Sequence, residues 1–196
     1  MGIIDDQFVF YASYHDNFIN QICHIICVPI IALSMAIMLS FTPSVGTWTF
    51  PLMEKELPLN GSFLISLSYG TYYVIAEFPG YAGVIAAMLM FGAYLTSCSI
   101  IENYESRVAW DMGVWGFVLG FAAQIFTHQV YEKRSPALLD NVFQAFVVAP
   151  LFVVMEAMHM CFGYRAEFRE KVQVQVDRNI KEFRAERARQ SKGEKA

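Results

Sequence analysis

The chain has 196 residues, 56% of them hydrophobic and only 16% charged, with a net charge of −4 and a mean hydropathy of +0.38. This composition predicts an integral membrane protein, and it excludes a soluble domain and a basic face for nucleic acid. Ten of the 14 lysines and arginines follow Gly163, so we expect a membrane domain over residues 1–164 and a charged cytosolic tail over 165–196.

The stretch YHDNFINQICHIICVP places histidines and amide side chains directly before the first long apolar run. If Asp16 or Asn17 caps a new helix, His15 lies on the preceding element and can fold back toward that helix. Asn17, Asn20 and His24 then share one helix face. On a single continuous helix, His15 and His24 would instead point to opposite sides. Interfacial histidines that bind lipid headgroups remain the open alternative.

Five apolar segments follow in chain order, and about 20 apolar residues are needed to cross a bilayer as a helix. They are too long for soluble strands and lack the alternation of outer-membrane strands. The fold class is therefore all-α: a multi-pass membrane bundle of four to six apolar helices with a charged C-terminal tail. A polar, proline-rich loop over 42–60 separates the first two segments, and the segments cover 22–41, 62–78, 80–101, 112–130 and 142–162.

Counting four crossings places His24 and His128 on the same side of the membrane. Lys133 and Arg134 follow on that side, and the opposite loops are mostly acidic, so the bias in basic residues makes the histidine side cytosolic. The basic tail also favours the cytosol. We therefore expect that 142–162 does not cross as one straight helix, and that Pro150 divides a re-entrant or interfacial hairpin.

The tail itself shows little apolar patterning. Ile180 and Phe183 are its only apolar pair at helical spacing near the end, so residues 165–196 are predicted to form a marginal helix or to be disordered.

A second polar group lies in QIFTHQVYEKRSPALLDN, where Gln124, His128 and Glu132 are spaced four apart on one helix face. Imidazole is the commonest metal ligand, and polar groups at membrane depth indicate function by default. Glu132 could bind a metal, orient a ligand histidine or cap the helix end. Lys133 and Arg134 suit a carboxylate or phosphate group, or act as membrane anchors.

Glu156 and His159 have the Glu-x-x-His spacing of di-iron bundles, but the sequence holds no second copy. A hydrolase nucleophile elbow, a phosphate-binding loop and a dinucleotide fingerprint are all absent. Four histidines are too few for the histidine boxes of membrane desaturases. They are enough for a mononuclear site with about three histidines and open positions for oxygen and substrate.

The two signatures, YHDNFINQICHIICVP and QIFTHQVYEKRSPALLDNVFQAFVVAPLFVVMEA, resemble those of the 2-hydroxy fatty acid dioxygenase family, and the resemblance covers 8–164. The family implies an iron(II)-dependent enzyme of the endoplasmic reticulum membrane. It uses O2 to shorten 2-hydroxy long-chain fatty acids by one carbon, a step in phytosphingosine degradation. Thr127 stands where many relatives have glycine, and His159 falls outside the pattern. The matching positions are His15, Asn20, His24, Gln124, His128, Glu132, 136–141, Pro150 and Glu156.

From the resemblance we expect Fe(II) to be held by three histidines, in a site open toward the cytosol. The metal ligands would be His15, His24 and His128. Catalytic roles would fall to Glu132, Gln124 and Asn20, with Glu156 and His159 as alternative ligands or as partners of the ligands. Arg134 or Lys133 would bind the substrate carboxylate.

Two other function classes remain open. A small membrane transporter or assembly factor would place paired charges at mid-span, whereas Glu77 and Glu156 are the only carboxylates inside the apolar segments and no neighbouring base accompanies them. A zinc-dependent membrane hydrolase is the other alternative. Iron in the purified protein and oxygen consumption with substrate would separate these classes.

Overall fold

The computed structural model describes residues 3–50, 54–135 and 142–193, and these residues are mainly α-helical, which confirms the predicted fold class. Two π-helical segments, His128–Glu132 and Gln144–Val148, continue α5 and lead into α6. The α-helices of this part of the chain are α1 (Ile3–Ala12), α2 (Phe18–Leu39), α3 (Gly61–Ala76), α4 (Ala82–Asn103), α5 (Ser106–Thr127), α6 (Ala149–Phe162) and α7 (Ala166–Gly193).

Four stretches of the described chain are helical, long enough and apolar enough to cross a membrane: Phe18–Leu39, Ala82–Asn103, Ser106–Glu132 and Ala145–Phe162. The predicted segment 62–78 forms α3, whose 16 residues span roughly 24 Å, less than a bilayer core of about 30 Å. Large apolar side chains such as Ile26, Leu89 and Leu119 are exposed on the helices, as contact with lipid requires.

Glycines bring α5 close to α2. A Cβ atom on Gly120 would lie 2.7 Å from Cγ1 of Ile31, and one on Gly113 would lie 3.0 Å from Cγ of Met38. Small residues at such contacts let two membrane helices approach backbone to backbone. Because the close contact runs along both helices, the end of α5 is held against the first turns of α2.

A cluster of three serines, which we call the serine cluster, fills the interior where α2 ends. Ser40 Oγ lies 2.9 Å from Ser97 Oγ, and Ser62 Oγ lies 3.2 Å from the same atom. Ser97 also donates to the backbone oxygen of Tyr94 at 2.7 Å. Short hydroxyl side chains that pair with one another allow α2, α3 and α4 to pack tightly without leaving these groups unpaired.

The segment predicted as a loop over 42–60 contains an antiparallel hairpin of β1 (Thr47–Phe50) and β2 (Lys55–Pro58). The ring of Trp48 contacts the ring of Phe91 on α4, and Lys55 pairs with Glu102. The hairpin therefore covers the end of the bundle that holds the serine cluster.

The hairpin predicted at Pro150 is wrong. The π-helical segment leads directly into α6, and Pro150 lies in the first turn, where a missing N–H leaves no helical hydrogen bond unmade. The ring centroids of Phe143 and Tyr72 are 6.4 Å apart, while Tyr164, just after α6, donates to Glu77 at 2.9 Å. Both ends of the segment thus meet the last turns of α3. Ala145–Phe162 is long and apolar enough to cross, so that the segment does not cross as one straight helix stays a prediction.

The tail is a long helix and not a marginal one. Val172, Val176 and Ile180 lie four residues apart on α7 and are buried, so the apolar stripe extends well beyond the pair predicted from Ile180 and Phe183. This face packs on α1, a helix that the sequence pattern did not predict.

Candidate metal centre

His15 lies in the turn between α1 and α2, as the N-cap prediction required. Its Nδ1 lies 2.7 Å from the backbone oxygen of Tyr11, and its ring stacks on the Tyr11 ring at 4.0 Å. His15 Nε2 is buried and has no hydrogen-bond partner. Burial, with smaller contributions from His24 and His128, holds the pKa of His15 well below its usual value. The ring is therefore neutral, which is the form that binds a metal.

His24 lies two turns into α2, whose N-cap is Asn17. The Asn17 side chain accepts a hydrogen bond from the backbone N–H of Ile19 at 2.9 Å, so of the two candidate caps, Asp16 and Asn17, it is Asn17 that caps the helix. His24 Nδ1 lies 2.9 Å from the backbone oxygen of Asn20, one turn earlier. This contact orients the ring and leaves Nε2 available to a ligand.

His128 is placed where α5 changes to the π-helical segment. It is 2% exposed, and its Nδ1 is buried without a hydrogen-bond partner. Single π-helical turns inside α-helices occur frequently at functional sites. The change of helix type therefore coincides with the residue that the sequence marked as a ligand.

The three histidines, which we call the histidine cluster, meet at one end of the bundle. Their ring centroids are 4.4, 4.8 and 5.0 Å apart, and their candidate ligand atoms all lie within 4.8 Å of one another. Buried ring nitrogens without partners are costly in a folded protein. Neutral imidazoles that converge in this way fit a divalent transition metal with further positions open. The cluster could therefore hold a metal ion.

Glu132 ties the π-helical segment to the start of α2. Its Oε1 accepts from the backbone N–H of Asn17 at 2.8 Å and from Asn20 Nδ2 at 3.0 Å, and Thr127 Oγ1 donates to Asn20 Oδ1 at 2.8 Å. A carboxylate at a helix N-terminus is also favoured by the helix dipole. Glu132 and Asn20 therefore hold the backbone that carries His24 and His128. These hydrogen bonds of Glu132 reach no histidine, and which of its predicted roles it has stays a prediction.

Glu156 lies behind His15. It is 1% exposed and accepts hydrogen bonds from Tyr11 Oη at 3.1 Å and from Arg169 at 3.3 Å. Burial and Glu156 both raise the pKa of Tyr11, so the phenol stays protonated and can donate. Glu156 thus positions the Tyr11 ring that stacks on His15, and does not itself join the histidine cluster.

Both carboxylates that lack a neighbouring base in the sequence have a basic partner in the fold. Arg169 pairs with Glu156, and Arg165 pairs with Glu77 at 3.2 Å. These arginines come from the tail, so the pairs could not be read from the apolar segments alone.

Three predicted site residues lie away from the histidine cluster. Arg134 is held between the rings of Tyr14 and Phe183, with its guanidinium carbon 3.4 and 4.2 Å from the two centroids. Lys133 lies beside it, and neither side chain lines the cavity described below. Their predicted role, binding the substrate carboxylate before it reaches the metal, stays a prediction. His159 is also separate, with its Nδ1 3.1 Å from the backbone oxygen of Tyr164.

A mostly apolar cavity opens from the histidine cluster into the bundle. Gln124 lies at its polar end, is 9% exposed, and has a buried Nε2 with no hydrogen-bond partner. A buried amide donor beside a candidate metal site is available to a bound ligand. The remaining lining residues are Tyr11, His15, His24, Val28, Ile31, Ala32, Met35, Ala36, Ile65, Tyr69, Met90, Phe121, Ile125, His128, Ala145, Phe146, Ala149 and Pro150.

Two contributors to this site were not predicted. Tyr11 precedes His15 by four residues, and Arg169 lies in the tail beyond both signatures. The aromatic residue four positions before a histidine was an available signal for Tyr11. No pattern indicated Arg169, because its partner is distant in the fold. The predicted run 136–141 lies outside the described residues.

Comparison with known proteins identifies a family for this chain. A family model described as 2-hydroxy-palmitic acid dioxygenase Mpo1-like matches residues 1–161. The 2-hydroxy-palmitic acid dioxygenase of Saccharomyces cerevisiae is 28% identical over 158 residues, which cover 79% of this chain and 80% of the yeast protein. No solved structure matches the chain. The match spans the histidine cluster, its hydrogen-bond frame and the cavity, and the chain belongs to the Mpo1-like family.

Proposed function

We propose that this protein is an iron(II)-dependent dioxygenase that shortens 2-hydroxy long-chain fatty acids by one carbon. The observation that carries the proposal is the histidine cluster at the head of an apolar cavity between apolar helices. A 2-hydroxy fatty acid has the matching shape, because its hydroxyl and carboxylate lie at one end of a hydrocarbon chain. The activity of the yeast relative supports the same substrate class.

His15, His24 and His128 would hold the iron. Bound Fe(II) would supply the redox chemistry through which O2 reacts at the carbon that bears the hydroxyl group. Three protein ligands leave room for both substrate and oxygen. One O2 per acid balances a fatty acid one carbon shorter, one carbon dioxide and one water.

The protein's own groups would orient the substrate and keep water out. Gln124 Nε2 would donate to the substrate carboxylate in the cavity. Asn20, Thr127 and Glu132 would keep His24 and His128 in place through their hydrogen bonds. The apolar walls would exclude water from the chain and from the reacting carbon.

We place the enzyme in the endoplasmic reticulum membrane with the histidine cluster toward the cytosol. The basic residues that follow α5 and those of α7 support this orientation. Protease digestion of sealed microsomes tests it: α7 should be cleaved without detergent, and protection of α7 would reverse the orientation.

The function is tested on detergent-purified protein by metal analysis, by addition of 2-hydroxypalmitate without oxygen, and by mass spectrometry after oxygen is admitted. We expect about one iron per chain and a fatty acid shortened by one carbon. His15→Ala, His24→Ala and His128→Ala should each lose iron and reduce product by at least about 10³-fold, because each removes one of three ligands.

His159→Ala is the matched control, since it removes a histidine outside the cluster and should keep both iron and activity. A cluster variant that keeps iron and product removes that residue from the ligand set. Iron-loaded protein that leaves the substrate unchanged would overturn the proposal, and bound zinc with hydrolysis of an ester or amide lipid would replace it with a membrane hydrolase.

A further inference from the structure

The cavity below the histidine cluster follows one face of α2 into the bundle. His24, Val28, Ala32 and Ala36 lie four residues apart on that face and all contribute to the lining. At 1.5 Å per residue, the cavity therefore extends roughly 18 Å from the histidine cluster. Beyond its polar end the lining is apolar, which suits an unbranched hydrocarbon chain.

The serine cluster lies beyond Ala36, the last residue of α2 that lines this cavity. Ser40, one turn beyond Ala36, donates to the Ala36 backbone oxygen at 2.9 Å and pairs with Ser97. A hydrocarbon chain that pushed past Ala36 would separate hydroxyl groups that already pair, and it would offer them no partner in return. The cavity therefore ends where the apolar lining ends.

A second, smaller apolar cavity lies beside the first. Val28, Ala32, Met90 and Pro150 line both cavities, so these residues form the wall between them. Met90 has the longest side chain of the wall and is 8% exposed. Ala32 has the smallest side chain of the wall and lies about midway along the α2 face. In this wall the Met90 side chain separates the two cavities, and the small Ala32 side chain leaves the first cavity wide.

We propose that Met90 and Ala32 determine the length of the acyl chain that the enzyme accepts. This inference rests on the proposed function, since the chain belongs to a 2-hydroxy acid whose polar head lies at the histidine cluster. Met90 keeps the second cavity separate, so the chain is confined to the first one. Removing the Met90 side chain joins the two cavities and admits longer chains. Enlarging Ala32 narrows the first cavity and excludes them.

To test this, a mixture of saturated 2-hydroxy acids, from medium to very long chain, is supplied to each of three proteins: wild type, Met90→Ala and Ala32→Leu. Met90→Ala should shift the product distribution toward longer acids, and Ala32→Leu should shift it toward shorter ones. The expected change in relative kcat/KM is about fourfold for each methylene group that is admitted or excluded. Met90→Val serves as the milder variant if Met90→Ala loses its iron or unfolds.

Met88→Ala and Ala122→Leu are the matched controls. Met88 is on the same helix as Met90 but 60% exposed, and Ala122 is an exposed alanine of α5 that lines neither cavity. Both should keep the wild-type distribution. If Met90→Ala and Ala32→Leu are active but give the wild-type distribution of product chain lengths, the inference is overturned and the proposed function is not. Binding of the same acids without oxygen reports the length preference separately, so iron-loaded protein that binds by length but converts no acid would overturn the function alone.

Discussion

The serine cluster and the histidine cluster, at the two ends of the bundle, differ in the hydrogen bonding of their buried polar groups. In the serine cluster, Ser40, Ser62 and Ser97 pair with one another, so tight packing leaves none of these hydroxyls without a partner. In the histidine cluster and its cavity, His15 Nε2, His128 Nδ1 and Gln124 Nε2 are buried and unpaired. Helix α2 contributes to both ends, together with α3 and α4 at the serine cluster and with the end of α5 at the histidine cluster.

This difference shows where the fold holds groups ready for a ligand. An unpaired buried polar group costs about 1–3 kcal/mol, whereas a paired one is close to neutral. The serine cluster stabilises helix packing alone. The unpaired groups of the histidine cluster and Gln124 carry a cost that a bound ligand would remove, although Ser66 Oγ and Tyr73 Oη are also buried without a partner.

Among changes that leave the three histidines in place, the largest expected effect comes from breaking the hydrogen-bond frame around the histidine cluster. Glu132→Ala leaves the Asn17 N–H and the Asn20 amide without their acceptor, so it should weaken iron binding by about 10–100-fold. It should also lower the free energy of unfolding by about 1–3 kcal/mol. Iron affinity is measured by competition with a chelator, and stability by thermal unfolding in detergent.

Glu132→Gln keeps one acceptor oxygen and is the matched control for this frame. It should retain most of the iron affinity, because the hydrogen bonds to α2 can still form. Complete loss of iron in a folded Glu132→Gln protein would mean that the carboxylate is itself a ligand.

A more limited effect, on substrate binding and not on iron binding, is expected at the unpaired Gln124 amide. Gln124→Leu removes the donor but keeps the volume, so substrate binding should weaken by about 10–100-fold, the usual value of a hydrogen bond to a charged group. Iron content should not change, and thermal stability should hold or rise, because a buried unpaired donor is gone. Unchanged KM with reduced stability would show that the amide supports the fold and does not contact substrate.

The smallest effect is expected at the opposite end. Ser97→Ala removes the shared partner of Ser40 and Ser62, and hydrogen bonds between membrane helices contribute only about 0.6 kcal/mol on average. Thermal stability in detergent should therefore fall slightly while iron content and turnover stay at wild-type values. A loss of activity larger than the loss of stability would show that the two ends are coupled, contrary to the comparison.

Much of the fold was predictable, because long apolar runs dictate helices of matching length. A new helix capped by Asp16 or Asn17 was one of the alternatives that the sequence left open, and the structure has Asn17 as the N-cap of α2. The unpredicted elements depend on contacts that are distant in sequence. The β-hairpin packs on α4, and α1 and α7 become stable helices by burying apolar faces against each other.

The candidate site, like the fold, could be predicted only in part from the sequence. The sequence placed His24 and His128 on one side of the membrane, and the fold brings them together with His15; their role as ligands stays a prediction. The role predicted for Arg134, binding of the substrate carboxylate, also stays a prediction. Only the fold shows that its guanidinium lies between the rings of Tyr14 and Phe183.

The sequence by itself determined the chemistry of this protein: apolar helices, histidines at their ends, and two signatures that carry the resemblance. Hydropathy and helix length are local properties, so they can be read directly from the chain. Only the tertiary structure decided which polar groups are left unpaired, which arginines reach Glu77 and Glu156, and which side chains separate the two cavities. Those properties depend on the packing of helices far apart in sequence, because a buried group is satisfied or exposed only by its neighbours in space.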